Sequence, residues 1–300
     1  MQTTIAILVI DDEAGNLEII GEYLEDEHYE IVTAQSGEAG LQILTAAPEK
    51  FQAILLDWMM PGMNGMEVLA TLKSDPLLRH IPVVMQTART AHEDLLQGMH
   101  AGAFYYLTKP YQQQTLTTIL AAALADAQRY TELRQKLLSG GDAMRLLTQA
   151  QFRFRTLEEA QNLVSAIAQA TPEPERLLMG LSELLINAIE HGNLGIGYAE
   201  KSRLNAAGEW YNEIQRRLAD AAYQDKFATL DFSVLQGDFV FTITDQGDGF
   251  DHRGFLEMDA SRAYDSHGRG IYMARLMSFD KIEYRHHGTQ VIATMFAPRT

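Results

Sequence analysis

The 300-residue chain contains no cysteine, which excludes disulfides and thiolate metal sites. Positive charge is scarce as well: 24 Lys and Arg stand against 40 Asp and Glu, a formal net charge of −16. Contact with nucleic acid depends on Lys and Arg neutralising phosphates, so this balance argues against DNA or RNA as a direct partner. Long apolar runs are missing too. Even Leu116–Leu124 is short and holds two threonines, where a membrane helix needs roughly 18–20 apolar residues. Met1 leads into the apolar segment Ile5–Ile10 without a basic stretch, from which a soluble, cytoplasmic protein with no membrane partner is expected. The histidines show no metal-ligand spacing, and His286-His287 is an isolated pair.

What is present is length enough for two ordinary domains. The acid excess is concentrated in residues 1–122, either as a cation-demanding acidic site or as a solubilising surface. This half alternates β-branched runs with amphipathic stretches. The runs Thr4–Ile10, Tyr29–Ala34, Ala53–Asp57, Pro82–Thr87 and Ala103–Thr108 predict an α/β domain with a doubly wound parallel five-stranded sheet. Function gathers at the carboxyl ends of such strands. Those ends carry Asp11, Asp12, Asp57, Thr87 and Lys109. Clustered carboxylates repel one another unless a hard cation sits among them, so Asp11, Asp12 and Asp57 are candidate ligands of Mg²⁺. If Asp57 attacks a phosphorus atom, Lys109 and the Thr87 hydroxyl would steady the transferring oxygens.

The segments I-L-V-I-D-D-E, L-L-D-W-M-M-P-G-M-N-G, Q-T-A and L-T-K-P, in this order, resemble the receiver domain of response regulators over residues 1–122. The resemblance implies that Asp57 accepts phosphate from an upstream histidine kinase and that Asp11 and Asp12 hold Mg²⁺. It also implies that Thr87 and Lys109 grip the phosphoryl group, that Lys109-Pro110 is a cis peptide, and that Tyr106 is the switch aromatic.

Leu116, Ile119, Leu120, Ala123, Leu124, Ala127, Tyr130, Leu133 and Leu137 follow at three-and-four spacing. This predicts a helix that outlasts the first domain, through a linker at 123–147, and stops at Gly140-Gly141. It reads either as a dimerising signal helix, giving a homodimer, or as a final helix packed on its own sheet. Between Met99 and Ile189 the only histidine is His100, so no phosphoacceptor helix precedes the second domain.

In S-E-L-L-I-N-A-I-E-H-G-N, Glu183 and Asn187 lie four apart and share a helix face, with His191-Gly192-Asn193 ending the helix. An amide oxygen beside a carboxylate can hold Mg²⁺ while the carboxylate takes a proton. Downstream, the strand-like runs Ala228–Leu235 and Phe239–Thr244 lead to D-Q-G-D-G-F and S-H-G-R-G-I-Y-M-A. Gly247, Gly249, Gly268 and Gly270 let backbone N–H groups approach phosphates. Thr289 opens a last strand, Gln290–Phe296, and could donate to a base or a buried carboxylate.

Together these boxes resemble the ATP-binding domain shared by histidine kinases, gyrase-type ATPases and heat-shock chaperones, over residues 148–300. The E-x-x-x-N-A-x-x-H-G form looks most like the anti-sigma-factor serine kinases. The resemblance implies an α+β two-layer sandwich that uses ATP and Mg²⁺, with Glu183 as general base and Asn187 on the metal. Asp245 would read the adenine amine, and His191, Gly247, Gly249, Gly268, Arg269, Gly270 and Thr289 would seat the nucleotide. The expected activity is a serine/threonine kinase, gated by the receiver, acting on a STAS-domain anti-anti-sigma protein. Two alternatives stand beside it: a nucleotide-tuned module that binds a sigma factor, and a histidine kinase acting on a separate phosphotransfer protein. An insert, Leu194–Gln224, with a helix expected over Glu209–Ala222, is longer than the simplest members carry and could cover a partner-binding surface.

Overall fold

A computed structural model describes residues 5–25, 28–88, 98–99, 101–103, 105–138, 142–251 and 270–297. They form two compact units that divide between Tyr130 and Thr131.

In the first unit, β1 (Ala6–Ile10), β2 (Glu30–Ala34), β3 (Phe51–Asp57), β4 (Val83–Thr87) and β5 (Tyr105–Thr108) form one sheet in the order β2-β1-β3-β4-β5. Every pairing is parallel. β1 and β4 are buried at each residue, as strands covered on both faces must be, which explains their unbroken apolar sequence. Helices α1 (Ala14–Leu24), α2 (Gly37–Ala46) and α3 (Gly65–Ser74) connect them. Local chemistry sets where two of these helices start. The Ser36 hydroxyl accepts from the Ala39 N–H, and Asn64 and Glu67 form a reciprocal capping box, each cap contributing ~1 kcal/mol. From β1 the chain goes to β2 on one side and β3 on the other, so the crevice for functional groups opens at the carboxyl ends of β1 and β3.

Helix α4 (Gln113–Leu138) is a single 26-residue element, and the division between the units falls inside it. Leu116, Ile119, Leu120 and Ala123 belong to the core of the first unit. Beyond Tyr130, Leu133 and Leu137 are also buried within the chain, with Arg134 bonded to Glu175 at 3.0 Å and Lys136 to Asn162 at 2.9 Å. The apolar seam read from the sequence therefore forms, and its distal members are covered without a second copy. The helix is described as far as Leu138, and Gly140 and Gly141 lie outside the described residues.

The second unit is built on an antiparallel sheet ordered β6-β7-β8-β10-β9, from β6 (Gln149–Phe154), β7 (Ala228–Leu235), β8 (Asp238–Thr244), β9 (Lys281–Arg285) and β10 (Gln290–Met295). One face is buried in alternating residues, among them Ala228, Leu230 and Phe232 of β7 and Val291, Ala293 and Met295 of β10. Helices α5 (Leu157–Ala168) and α6 (Pro174–Asn187) bring buried apolar faces through Val164, Ile167, Leu177 and Leu181. The insert folds as two helices, α7 (Tyr198–Ala206) and α8 (Trp210–Ala219). The single expected helix Glu209–Ala222 is thus corrected at both ends. It stops early because Asp220 takes extended backbone and its carboxylate accepts from the Ala222 N–H at 2.9 Å, an arrangement that favours a turn. Among the described residues no helix is long and apolar enough to cross a membrane.

Phe232 and Phe241 meet at 5.4 Å between ring centroids, and Phe241 meets Phe279 at 5.6 Å. Replacing Phe232 by alanine should destabilise the second unit by about 3–5 kcal/mol, the usual range for a buried ring. Urea unfolding followed by circular dichroism measures this, and a midpoint equal to that of the parent protein would contradict the place of Phe232 in the core.

Candidate functional sites

At the rim of the parallel sheet, Asp11 follows β1, Asp57 ends β3 and Lys109 follows β5. The Lys109 ammonium lies 2.6 Å from Asp11 Oδ2 and 2.5 Å from Asp57 Oδ1. Asp11 also accepts from the Glu13 N–H and the Asn16 amide, and Asp57 Oδ2 accepts from the Met59 N–H at 2.7 Å. Both carboxylates are buried. Burial raises the Asp57 carboxyl above its ordinary range, outweighing the nearby Lys109, and Asp11 adds repulsion. Burial pulls Lys109 down, but its hydrogen bonds and charge pairing with Asp11 and Asp57 outweigh that and raise it, so it remains an ammonium.

Thr87 is buried at the end of β4, and its carbonyl accepts from the Lys109 N–H at 2.8 Å, which keeps β4 and the Lys109 turn in register. The Lys109–Pro110 peptide is cis, as the resemblance implied. Tyr106 is fully buried, its hydroxyl beside Gly98 and Trp58. Asp12 is half-buried. Among the described residues no three His, Cys, Asp or Glu side chains already stand together as a metal site; of the three expected ligands, Asp11 and Asp57 converge on Lys109. The oxygen donors suit Mg²⁺, and the ammonium between Asp11 and Asp57 marks where positive charge is needed. A contact that sequence reasoning missed is Tyr111, whose hydroxyl donates to the buried Gln86 side chain at 2.5 Å.

The second unit holds a cavity of about 610 Å³. Pro174 at the first turn of α6 starts the helix that carries Glu183 and Asn187 to its wall. The helix then widens into a π turn, Ala188–Asn193, which brings His191 and Gly192 to the same wall. Asp245, Gly247, Gly249 and Gly270 line it as well. Seven of the nucleotide-site residues expected from sequence are therefore gathered here, while Gly268 and Arg269 lie outside the described residues.

Two glycines are required by close approach. A Cβ on Gly192 would run into the Asp245 carboxylate, and one on Gly270 would run into that of Glu183. The Asp245 carboxylate accepts from the Gly247 N–H at 2.8 Å, and burial raises it from 3.8 to about 6. Asn193, missed in the sequence, fixes this loop by accepting the Gln246 N–H at 2.8 Å. Thr289 lies beside this loop. Its hydroxyl donates to the His286 carbonyl at 2.9 Å, and it serves Asp245 through its backbone carbonyl, which accepts the Asp245 N–H at 2.9 Å. The turn at His286–Gly288 draws the hydroxyl back onto its own backbone. Ile243, Val291, Phe250 and Tyr284 add apolar surface, with the two rings edge to face at 5.5 Å.

Comparison with known proteins finds a match in each half. Residues 7–121 match the model of the response regulator receiver domain, and residues 147–295 that of the histidine kinase-like ATPase domain. The chain is similar to the response regulator PleD of Caulobacter vibrioides, 41% identical over 134 residues that cover 45% of this chain and 29% of that protein. It is similar to the phosphate regulon transcriptional regulatory protein PhoB of Pseudomonas aeruginosa, 38% identical over 39% of this chain and 51% of that one. The chain thus spans about half or less of the length of these curated relatives. A receiver domain protein of Clostridium thermocellum aligns with TM-score 0.39 and 33% identity, over 45% of this chain and 98% of that one.

The rim triad generates a stability test. Lys109→Met keeps length and removes charge, which leaves two buried carboxylates facing each other, a loss on the order of 3 kcal/mol at pH 7. Because protonation relieves that repulsion, the deficit should shrink as pH falls toward 4, and millimolar Mg²⁺ should recover part of it at pH 7. Denaturant unfolding at both pH values measures this; a deficit independent of pH and Mg²⁺ would exclude carboxylate repulsion as its origin.

Proposed function

Because this chain joins a response regulator receiver domain to a histidine kinase-like ATPase domain, we propose that phosphate on Asp57 controls transfer of the ATP γ-phosphate to a serine or threonine hydroxyl of a STAS-type partner. In the receiver, the Asp57 carboxylate takes a phosphoryl group from the phosphohistidine of an upstream histidine kinase, with the P–N bond breaking as the new P–O bond forms. Lys109 and Thr87 hold the phosphoryl oxygens, and Asp11, Asp12 and Asp57 would hold Mg²⁺. Movement of Thr87 and Tyr106 toward the phosphate is the switch.

In the second unit, Asp245 accepts a hydrogen bond from the adenine amine while Gly247, Gly249, Gly268 and Gly270 admit the nucleotide. His191 and Arg269 border it, and Asn187 would hold the Mg²⁺ that neutralises the phosphates. Glu183 takes the proton of the partner hydroxyl as its oxygen attacks the γ-phosphorus and the bond from that phosphorus to the departing ADP breaks. The observation that carries this reading is the meeting of Glu183, Asn187 and Asp245 on one cavity in a chain with no histidine between His100 and Ile189. We place the protein in the cytoplasm, as a homodimer that associates through faces other than the covered turns of α4.

Incubation with labelled ATP and candidate STAS proteins, with and without beryllofluoride on the receiver, tests the proposal. Acid-stable label on the partner, changed several-fold by beryllofluoride and abolished by Glu183→Ala with ATP binding retained, is expected. Acid-labile label would assign a histidine kinase instead. Stoichiometric binding of a sigma factor that survives Glu183→Ala would assign a binding module.

A pH dependence follows from Asp245, whose folded-state value of about 6 lies above 3.8. Ionised, it accepts from the amine; protonated, it has lost that acceptor. ATP affinity should therefore be level above pH 7 and fall by about tenfold per unit below 6, the slope of a single proton. In the unliganded protein the same shift favours the fold below 3.8, an advantage lost as pH rises through 6. Calorimetry between pH 5 and 8 checks this, with Asp245→Asn expected to bind weakly and without the pH step.

A further inference from the structure

The insert between the two nucleotide-site boxes has no task in the scheme above. Its residues Ile196, Tyr198 and Lys201 line the same cavity as Asn187 and Asp245. It is fastened there at several points. The Ile196 N–H donates to the Glu190 carbonyl at 2.9 Å, Arg217 donates to the Leu194 carbonyl at 2.8 Å and pairs with Glu200, and the Lys201 ammonium donates to Glu190 Oε2 at 3.0 Å. The Glu190 side chain is 0% exposed, and its other oxygen has no hydrogen-bond partner, with His191 Nε2 3.4 Å from it. A buried carboxylate of this kind requires a cation, and α7 supplies it.

The charges around the cavity are unbalanced in a way that bears on the ligand. Among the described lining residues Glu183, Asp245, Asp248 and Asp251 are acidic, and Lys201 and Lys226 are the lysines set against them. A polyphosphate entering this space needs positive charge beyond a single metal ion. Lys226 acts on the Asp245 carboxylate, at the base end. Lys201 is different. Its anchor, Glu190, lies in the π turn that continues from Asn187, and Lys201 lines the same cavity as the amide expected to face the phosphates. One of its three N–H donors goes to Glu190, which leaves two for phosphate oxygens. The Trp210 ring, 5.9 Å away, further fixes the side chain.

We propose that Lys201 is a phosphate-binding residue of the nucleotide site, supplied by the insert and aimed by Glu190, with a nucleoside di- or triphosphate as its ligand. The inference rests on the reading of the cavity as an ATP site. The insert is then part of the binding site, and the wall that carries Lys201 decides how strongly the phosphates are held relative to the base. Arginine at 201 keeps a cation within reach of Glu190; methionine does not.

The test is calorimetric titration of the full chain with ATP and with adenosine, both in Mg²⁺. Lys201→Met should weaken ATP at least tenfold and change adenosine less than twofold, and Lys201→Arg should retain ATP within about threefold. Removal of Lys201 alone leaves Glu190 uncompensated, so the double variant Glu190→Gln/Lys201→Met supplies a second measurement: ATP should stay weak with adenosine preserved. Equal losses for ATP and adenosine, or full ATP affinity in either variant, would overturn the role of Lys201. If the parent protein binds neither ligand, the ATP site itself falls, and this inference with it; if the parent binds ATP and Asp245→Asn weakens it while Lys201→Met does not, only the inference falls.

Discussion

A buried carboxylate must have a cation, and this one constraint organises both units. In the first, Asp11 and Asp57 are brought to the mouth of a parallel sheet by strands that are buried along their length, and neither can shed its charge to water. Lys109 is the compensation, and its backbone is tied to Thr87 on the neighbouring strand. The consequence is a site in which a charge arriving on Asp57 changes the balance felt by the ammonium and hence by β4. In the second unit Glu190 and Lys201 stand in the same relation. There the cation comes from the insert, so the electrostatics of the helix and the placement of the insert are one problem.

Backbone proximity is the second organising feature, and it acts where charge does not. Gly192 and Gly270 exist because the carboxylates of Asp245 and Glu183 occupy the space that a side chain would take. The π turn that contains Gly192 widens the helix at the point where the cavity begins. The cavity wall is therefore largely main chain on one side, with Asn193 and the Thr289 carbonyl holding the Asp245 loop against it. Such a wall presents N–H groups without the entropy of side chains, which suits a ligand rich in oxygen.

Much of this was legible before any coordinates. β1, β3 and β4 read clearly because burial on both faces demands continuous apolar sequence, and the carboxyl ends of the sheet's strands named Asp11, Asp57, Thr87 and Lys109 directly. Glu183, Asn187 and Asp245 were legible from helix spacing and glycine boxes. The edge strands were not: β6, Q-A-Q-F-R-F, and β9, K-I-E-Y-R, are polar on the side that faces solvent and offer only weak alternation. The local partner of the Thr289 hydroxyl was not legible because it is set by the tight turn at His286–Gly288, which composition does not reveal. The pairing of Lys201 with Glu190 was not legible, since nothing local to Tyr198–Lys201 signals that Glu190 will be sealed from water. Long-range compensation of charge has no periodicity to read.

The strand order of the second sheet bears on how the protein behaves at high concentration. An antiparallel sheet leaves unpaired N–H and carbonyl groups along its outermost strands, and these can template the addition of a foreign strand. Here the outermost positions are held by β6 and β9. Arg153 lies on the first, with its guanidinium 4.5 Å from the Phe227 ring centroid, and Lys281, Glu283 and Arg285 lie on the second, the first two paired at 2.8 Å. Any strand docking on either border would have to desolvate those charges. The same polarity that made these strands hard to find in the sequence protects the folded domain from growing into a fibre.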